Sequence, residues 1–416
     1  MRLFLATVFF VGLSTFAQAK TTLNSMCYVL DQPGGKIQGD RTEELFEIAS
    51  VSKVVTAYWA FNKLGPYFRY NTLIHITPVA DRLYDVHIQG ARDPFWGRQL
   101  THLLFAELNK KGVTKIRYLT FDENLIFRWQ VVSDFIDTMY PSPEEIKNSI
   151  RKHITDLSSE YSSTRREAAA LKITMPRSVS VRVNSVEPLP SAQFTPSANT
   201  STYVLRSSPL YRYVKEMNVV SNNHVADHLF DYLGGVTEFR TFMRQDMNMD
   251  SSDIDFVNGS GNSYIRDTNG TAIKEYNKAS CDSMIRILIK MDRNLKADNL
   301  EMKDVLAVSG TDQGSTLSPR FDSIPNTLAG KTGTVDPAVT LAGVISTAEG
   351  DVYFGVFMAT EDAGDWGTAR DEVREKVFDL IKRHGGQKRF AYNANKFLPF
   401  DEYSGLTTKA LSSNAP

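Results

Sequence analysis

Ser50-Val51-Ser52-Lys53-Val54-Val55-Thr56-Ala57-Tyr58-Trp59-Ala60-Phe61-Asn62-Lys63-Leu64-Gly65 is the stretch on which the fold turns. Val54, Ala57, Tyr58 and Phe61 recur at i, i+3, i+4 and i+7, which predicts one helix over 50–64 with Gly65 as its stop. Ser50 and Lys53 then share the first turn and one face, near enough for a hydrogen bond. The free N–H groups and positive dipole end of that turn favour negative charge beside the serine oxygen. A serine hydroxyl is a weak nucleophile at neutral pH, so a base must take its proton. Lys53 serves only when neutral, and an ordinary lysine titrates near 10.4. Bringing it to neutrality takes about 4 kcal/mol, from burial plus a second cation nearby. Ser149-Ile150-Arg151-Lys152 has the same S-x-x-K form, so the string alone means little.

Two more strings follow in order, Ser221-Asn222-Asn223 and Lys331-Thr332-Gly333. The ordered trio is that of penicillin-binding proteins and class A β-lactamases. Lys331 supplies the second cation. Ser221 is placed to relay a proton to a leaving amine, and Asn223 to orient Lys53 and the substrate backbone. Lys331, Thr332, Gly333 and Thr334 read as an edge strand on which an extended peptide docks. There Lys331 and Thr332 bind a terminal carboxylate, and Gly333 keeps side chains out of the substrate's path. The backbone N–H groups of Ser50 and Thr334 are the expected oxyanion hole, worth roughly 3–4 kcal/mol per donor.

Around these strings the chain has a clear organisation. Met1-Arg2, a short apolar run and Ala17-Gln18-Ala19 read as a secretory signal peptide over 1–19, cleaved before Lys20 and too short to span a bilayer. The expected destination is the periplasm or the medium, with no integral membrane anchor. Removing Arg2 takes the formal charge from −1 to −2, which gives no electrostatic case for nucleic acid. About 400 mature residues suit two domains. Residues 25–31 read as a strand, 98–111 and 142–170 as helical (the latter opened by a capping box at Ser142 and Glu145), and 339–347 with 352–360 as a hairpin after the Lys-Thr-Gly strand. Tyr84, Val86 and Ile88, and Val179, Val181 and Val183, alternate as strands; residues 369–384 read as a closing helix. Pro188, Pro190 and Pro196 mark a linker, and the last thirty residues read as polar and loosely packed. The expected division is a catalytic domain from 20–65 plus 203–416, and an inserted domain at 66–202. Cys27 and Cys281 are free to form a disulfide or to be two small buried hydrophobes. His224-Val225-Ala226-Asp227-His228 falls one residue short of a zinc motif, so its histidines read as surface or capping residues. No metal or organic cofactor is indicated.

With these motifs placed, the chain resembles the D-Ala-D-Ala carboxypeptidase/endopeptidase family of penicillin-binding protein 4 type. Beyond the trio, Gly90-Ala91-Arg92-Asp93-Pro94, Gly259-Ser260-Gly261 and Gly310-Thr311-Asp312 carry the likeness. The resemblance implies an α/β fold: a serine β-lactamase/DD-transpeptidase-like domain, an antiparallel sheet between helices, split by an inserted smaller β-rich α+β domain. It implies an acyl-Ser50 enzyme on peptidoglycan stem peptides, hydrolysing D-Ala-D-Ala ends and D-Ala-diaminopimelate cross-links, with β-lactams as covalent inhibitors. Asn222 replaces the family's aspartate, and Asn258 also stands where an aspartate is expected. Ser50 to Ser221 spans 171 positions, room for one inserted module where typical members nest two. Residues 142–170 are expected to replace part of the missing one. A β-lactamase and a non-catalytic wall-binding protein are the competing readings. Against them stand the absence of an E-x-x-L-N string and the presence of every side chain the chemistry needs.

Overall fold

The computed structural model describes residues 24–131, 140–155, 157–268, 271–394, 396–403 and 405–408. The signal peptide read over 1–19 lies outside them.

The 338–347 and 350–359 hairpin forms as its alternation requires, and it anchors a six-stranded sheet. Strands run in the order Ala307–Val308, Leu328–Val335, Ala338–Thr347, Gly350–Ala359, Asn24–Leu30 and Gln38–Asp40, every pair antiparallel. Alternate residues bury opposite faces: Leu341, Ile345, Phe354 and Val356 pack with Val373, Val377 and Ile381 of the closing helix Trp366–Arg383. Ala342, Tyr353 and Phe357 face the other helices. This is the layered architecture expected from the sequence.

The helix after Ser50 lies inside that second layer. A 3₁₀ turn at Ala49–Val51 leads into a helix at Ser52–Leu64, and every residue from Ser52 to Ala60 is buried. Its apolar stripe therefore understates its burial. Trp59 packs against the rings of Phe230, Phe239 and Phe242, contacts whose truncation to alanine costs about 3–5 kcal/mol. Burial on all sides leaves its polar residues dependent on specific partners, so Thr56 Oγ1 donates to Gly259 O at 2.8 Å. Cys27 and Cys281 are bonded, joining the strand Asn24–Leu30 to the helix Cys281–Ala297 across 254 positions of sequence.

A second six-stranded sheet takes the order Thr407–Thr408, Ser201–Arg206, Asn71–Ala80, Leu83–Gln89, Lys115–Phe121 and Arg182–Pro188. Its first three pairings are antiparallel and its last two parallel. Parallel neighbours need a crossover, which the helix Arg98–Lys110 and the pair Pro143–Ile154 and Leu157–Ala170 supply. The capping box at Ser142 and Glu145 is formed.

Three expectations are corrected here. The valine alternation at 179–183 meets the strand only at its last two residues: the strand begins at Arg182 and buries Val186 instead. An edge strand buries one face only in part, so alternation marks its ends poorly. The proline-rich segment after 188 is no interdomain linker: Phe194 stacks on His87 at 3.8 Å, and the chain re-enters the same sheet at Ser201. The tail is not loose over its described part, because Leu398 and Phe400 are fully buried in the second core and Thr407–Thr408 add a strand. Two large apolar side chains are enough to pin a polar segment.

The Gly90–Pro94 turn holds the two sheet systems together. Asp93, 3 % exposed, accepts from Phe95 N at 2.9 Å and from the Tyr213 hydroxyl at 3.0 Å. Burial pushes its carboxyl up to about 7, against the pull of those two donors. An acid whose folded pKa is raised contributes stability that is complete below its unfolded pKa near 3.9 and lost as pH rises through about 7. Asp93→Asn keeps an acceptor for both donors and removes that titration. Denaturation midpoints of the two proteins are expected to diverge between about pH 4 and 7, the variant gaining on the order of 1–3 kcal/mol, and to run parallel above. Parallel curves throughout would contradict this.

Candidate active site

Ser50 sits on the 3₁₀ turn, reached through Ala49 at φ 47°. The Lys53 amine, fully buried, has three neighbours: Ser50 Oγ at 3.0 Å, Asn223 Oδ1 at 2.7 Å and Ser260 O at 2.9 Å. Two of the three are obligate acceptors; the third is a hydroxyl that can donate. A neutral amine has two N–H donors and one lone pair. Donating to Asn223 and Ser260 leaves the lone pair facing the Ser50 hydroxyl, the arrangement of a base about to take its proton. Burial lowers Lys53 to about 7, partly opposed by the Asp227 carboxylate.

Lys331, also fully buried, lies well below the ordinary lysine value through burial first, then through Lys53 and Arg320. The charge of Lys53 acts on Lys331, and burial is what lowers Lys53.

Ser221 and Asn223 flank the turn between the helices Leu210–Val219 and Asn223–Tyr232, with Ser221 at φ 56°. Asn222 caps the second helix by accepting from Val225 N at 3.0 Å. That explains the departure from aspartate at this position: either side chain caps. Asn258 is explained similarly. Its oxygen accepts from Gly261 N while its Nδ2 donates to Asn262 O, both at 2.8 Å, and an aspartate could do only the first.

The Lys331–Val335 stretch forms the edge of the sheet on this side, because the short strand Ala307–Val308 pairs only with Ala329 and Gly330. Thr332 Oγ1 lies 2.7 Å from Thr316 Oγ1, and Thr334 Oγ1 accepts from Arg370 Nη2 at 3.4 Å. Packing supplies its own reason for glycine at 333. A Cβ there would sit 2.3 Å from Thr340 Oγ1, 2.8 Å from Ile48 O and 2.9 Å from Ala49 Cβ, so the strand presses on the nucleophile turn from behind. The site is thus assembled from Ser50, Lys53, Asn223 and Lys331, with Ser221 on its turn and Thr332, Gly333 and Thr334 along its edge.

Three residues of this cluster were not assigned from the sequence. Asp227, largely buried, is pushed up by burial and pulled back by Lys53, and its Oδ1 accepts from Ser260 N at 2.7 Å. The Ser260 carbonyl holds Lys53. Gly261 lets the loop approach, since a Cβ there would lie 1.8 Å from Ala49 O. The signal was the Gly259-Ser260-Gly261 string itself, whose two glycines mark a close backbone approach. His224 and His228 are neither surface nor capping residues but buried, with burial lowering them to about 4 and about 3. Among the described residues no group of three His, Cys, Asp or Glu side chains could hold a metal.

Residues 24–143 and 189–377 match the model of the D-Ala-D-Ala carboxypeptidase 3 (S13) family. The chain belongs to that family. Residues 144–188, which include most of the helical pair at 143–170, fall outside the family match. Among solved structures, the S13 chain is similar to the predatory endopeptidase Bd3459 of Bdellovibrio bacteriovorus, solved with the immunity protein Bd3460: 36% identity over 93% of this chain and 99% of that one, TM-score 0.85. Bd3459 is also known acylated by penicillin G. The Bd0816 predatory endopeptidase of the same organism gives 35% identity over 92% and 99%, TM-score 0.84. Penicillin-binding protein 4 of Haemophilus influenzae, at 15% identity over 88% and 97% and TM-score 0.59, shares the fold. A search of curated proteins gives no match. No described helix of this S13 chain is long and apolar enough to cross a membrane.

Proposed function

We propose that this S13 chain is a serine DD-peptidase that hydrolyses peptidoglycan stem peptides, D-Ala-D-Ala ends and D-Ala-diaminopimelate cross-links alike, through an acyl-Ser50 intermediate. One observation carries the reading: the three contacts of the buried Lys53 amine suit a neutral base whose lone pair meets the Ser50 hydroxyl. The substrate lies along the 331–335 edge. Ser50 Oγ gives its proton to Lys53 and attacks the scissile carbonyl, whose oxygen is received by the Ser50 and Thr334 N–H groups. Ser221 relays the proton from Lys53 to the departing amine, and water later releases the acyl group. Thr332 and Lys331 face the terminal carboxylate, and Gly333 brings the edge up to the nucleophile.

Residues 20–65 plus 203–416 form the catalytic domain in this reading and 66–202 the inserted one, with the 398–408 segment strapped onto the insert. The reading also places the mature protein in the periplasm or outside the cell, after cleavage near Ala19. Penicillin is expected to react at Ser50; Bd3459, 36% identical to this chain, is acylated by penicillin G. Intact-protein mass spectrometry after penicillin treatment tests this. Wild type is expected to gain one stable penicilloyl group and Ser50→Ala none. An unmodified wild type, or labelling that survives Ser50→Ala, would overturn the reading; rapid sustained β-lactam turnover would favour a β-lactamase instead.

A further inference from the structure

Taking the Ser50 proton turns the Lys53 amine into a buried ammonium. Its neighbours are two neutral acceptors, Asn223 Oδ1 and Ser260 O, and the serine itself. A buried cation without an opposite charge is costly, so a lysine served by neutral acceptors alone would take that proton poorly. The carboxylate that acts on Lys53 is Asp227.

The helix Asn223–Tyr232 places it. Asn223 and Asp227 are four positions apart and share one helix face, the face from which Asn223 reaches Lys53. Asp227 meets the 258–261 loop rather than the amine. Its Oδ1 accepts from Ser260 N at 2.7 Å, and the Ser260 hydroxyl and Gly259 N also donate to its carboxylate. A set made of donors suits the ionised acid. The loop is pinned around this grip: Gly259 O accepts from Thr56 Oγ1, and Asn258 Oδ1 accepts from Gly261 N. A Cβ on Gly259 would lie 2.2 Å from Ala226 O, so the loop presses directly on the helix. Ser260 therefore has its N–H on the carboxylate and its carbonyl on the Lys53 amine. Other charged groups stand further round. Lys331, next to Arg320, acts with Lys53 from the edge strand. His224 and His228, on the helix of Asp227 and under the influence of Arg128 and Arg92, are held neutral by burial.

We propose that Asp227 is a positioning residue for the general base: it grips Ser260 so that its carbonyl meets Lys53, and its negative charge stabilises the ammonium formed there. The inference rests on the acyl-Ser50 reading. In that step the Ser50 O–H bond breaks as Oγ bonds to the acyl carbon. The proton rests on Lys53, opposite Asp227, and then leaves through Ser221 for the departing nitrogen. Asp227 keeps its charge throughout.

Ser50 acylation by penicillin, followed from about pH 5 to 9 in wild type and Asp227 variants, separates charge from grip. Asp227→Asn keeps an oxygen for Ser260 N and removes the charge. Losing a nearby negative charge disfavours the ammonium, so the midpoint, about 7 in wild type, should fall by about one unit. A weaker base also lowers the plateau rate, by about three-fold or more. Asp227→Glu keeps the charge and should hold the midpoint close to wild type while losing rate. Asp227→Ala loses charge and grip together, and should combine the lowered midpoint with a rate loss of at least about 30-fold. Thermal melting checks folding, and Asp227→Ser replaces Asp227→Asn should the latter fail to fold. A midpoint that stays in place or rises in Asp227→Asn, whatever its rate, would mean a packing role and overturn the proposal. If wild type takes penicillin at Ser50 with its midpoint at about 7, such a result sinks the Asp227 assignment alone. A wild type that takes no penicillin at Ser50 sinks the peptidase reading together with it.

Discussion

Lys53→Met leaves Ser50 in place and is expected to slow its acylation by penicillin about 10³-fold, the scale of a lost general base. Methionine matches the buried lysine stem in length and brings no charge, so the helix Ser52–Leu64 stays packed. The variant removes the lone pair facing Ser50 and leaves Asn223 Oδ1 and Ser260 O without their shared donor. Stopped-flow acylation at saturating pH measures the loss. A decrease of less than about ten-fold would mean that another group takes the proton.

Gly261→Ala is the second large effect. Gly261 has φ 75°, and its added Cβ would lie 1.8 Å from Ala49 O and 2.5 Å from Ala49 C. These are backbone atoms that no rotamer change can move. The Ala49–Val51 turn must shift, carrying Ser50 away from Lys53, so acylation should fall at least about 100-fold and stability by about 3 kcal/mol. Gly112 is the control. Its φ is 77°, nothing lies within 4 Å of an added Cβ, and Gly112→Ala should cost about 1 kcal/mol with acylation unchanged. Equal behaviour of the two variants in acylation assays and chemical denaturation would show that φ alone, and not the approach to Ala49, accounts for Gly261.

What the sequence disclosed follows from where its constraints are local. The spacing of Ser50 and Lys53 is one helical turn, the 338–359 hairpin is written as alternation around a short turn, and Ser142 and Glu145 cap each other across three positions. Each is a relation between near neighbours. The parallel pairing of Leu83–Gln89 with Lys115–Phe121 depends on where a crossover helix lands, which alternation does not encode. Likewise, the Asp227–Ser260–Lys53 contacts join residues 33 and 207 positions apart, and the buried state of His224 and His228 depends on what packs over their helix. Asn222 and Asn258, which read as departures from a family pattern, prove to be backbone-binding residues whose amides suffice or improve on the acid.

The most direct measurement is the pH dependence of Ser50 acylation, followed as the rate of penicilloyl adduct formation and mapped to the peptide holding Ser50. With Lys53 lowered to about 7, the base is neutral above that pH and protonated below it. The rate is therefore expected to rise as pH increases through about 7 and to level off by about pH 8.5, with the dependence gone in Lys53→Met. A wild-type rate that stays flat from about pH 5.5 to 9, or a label on any other residue, would contradict a neutral lysine acting on Ser50.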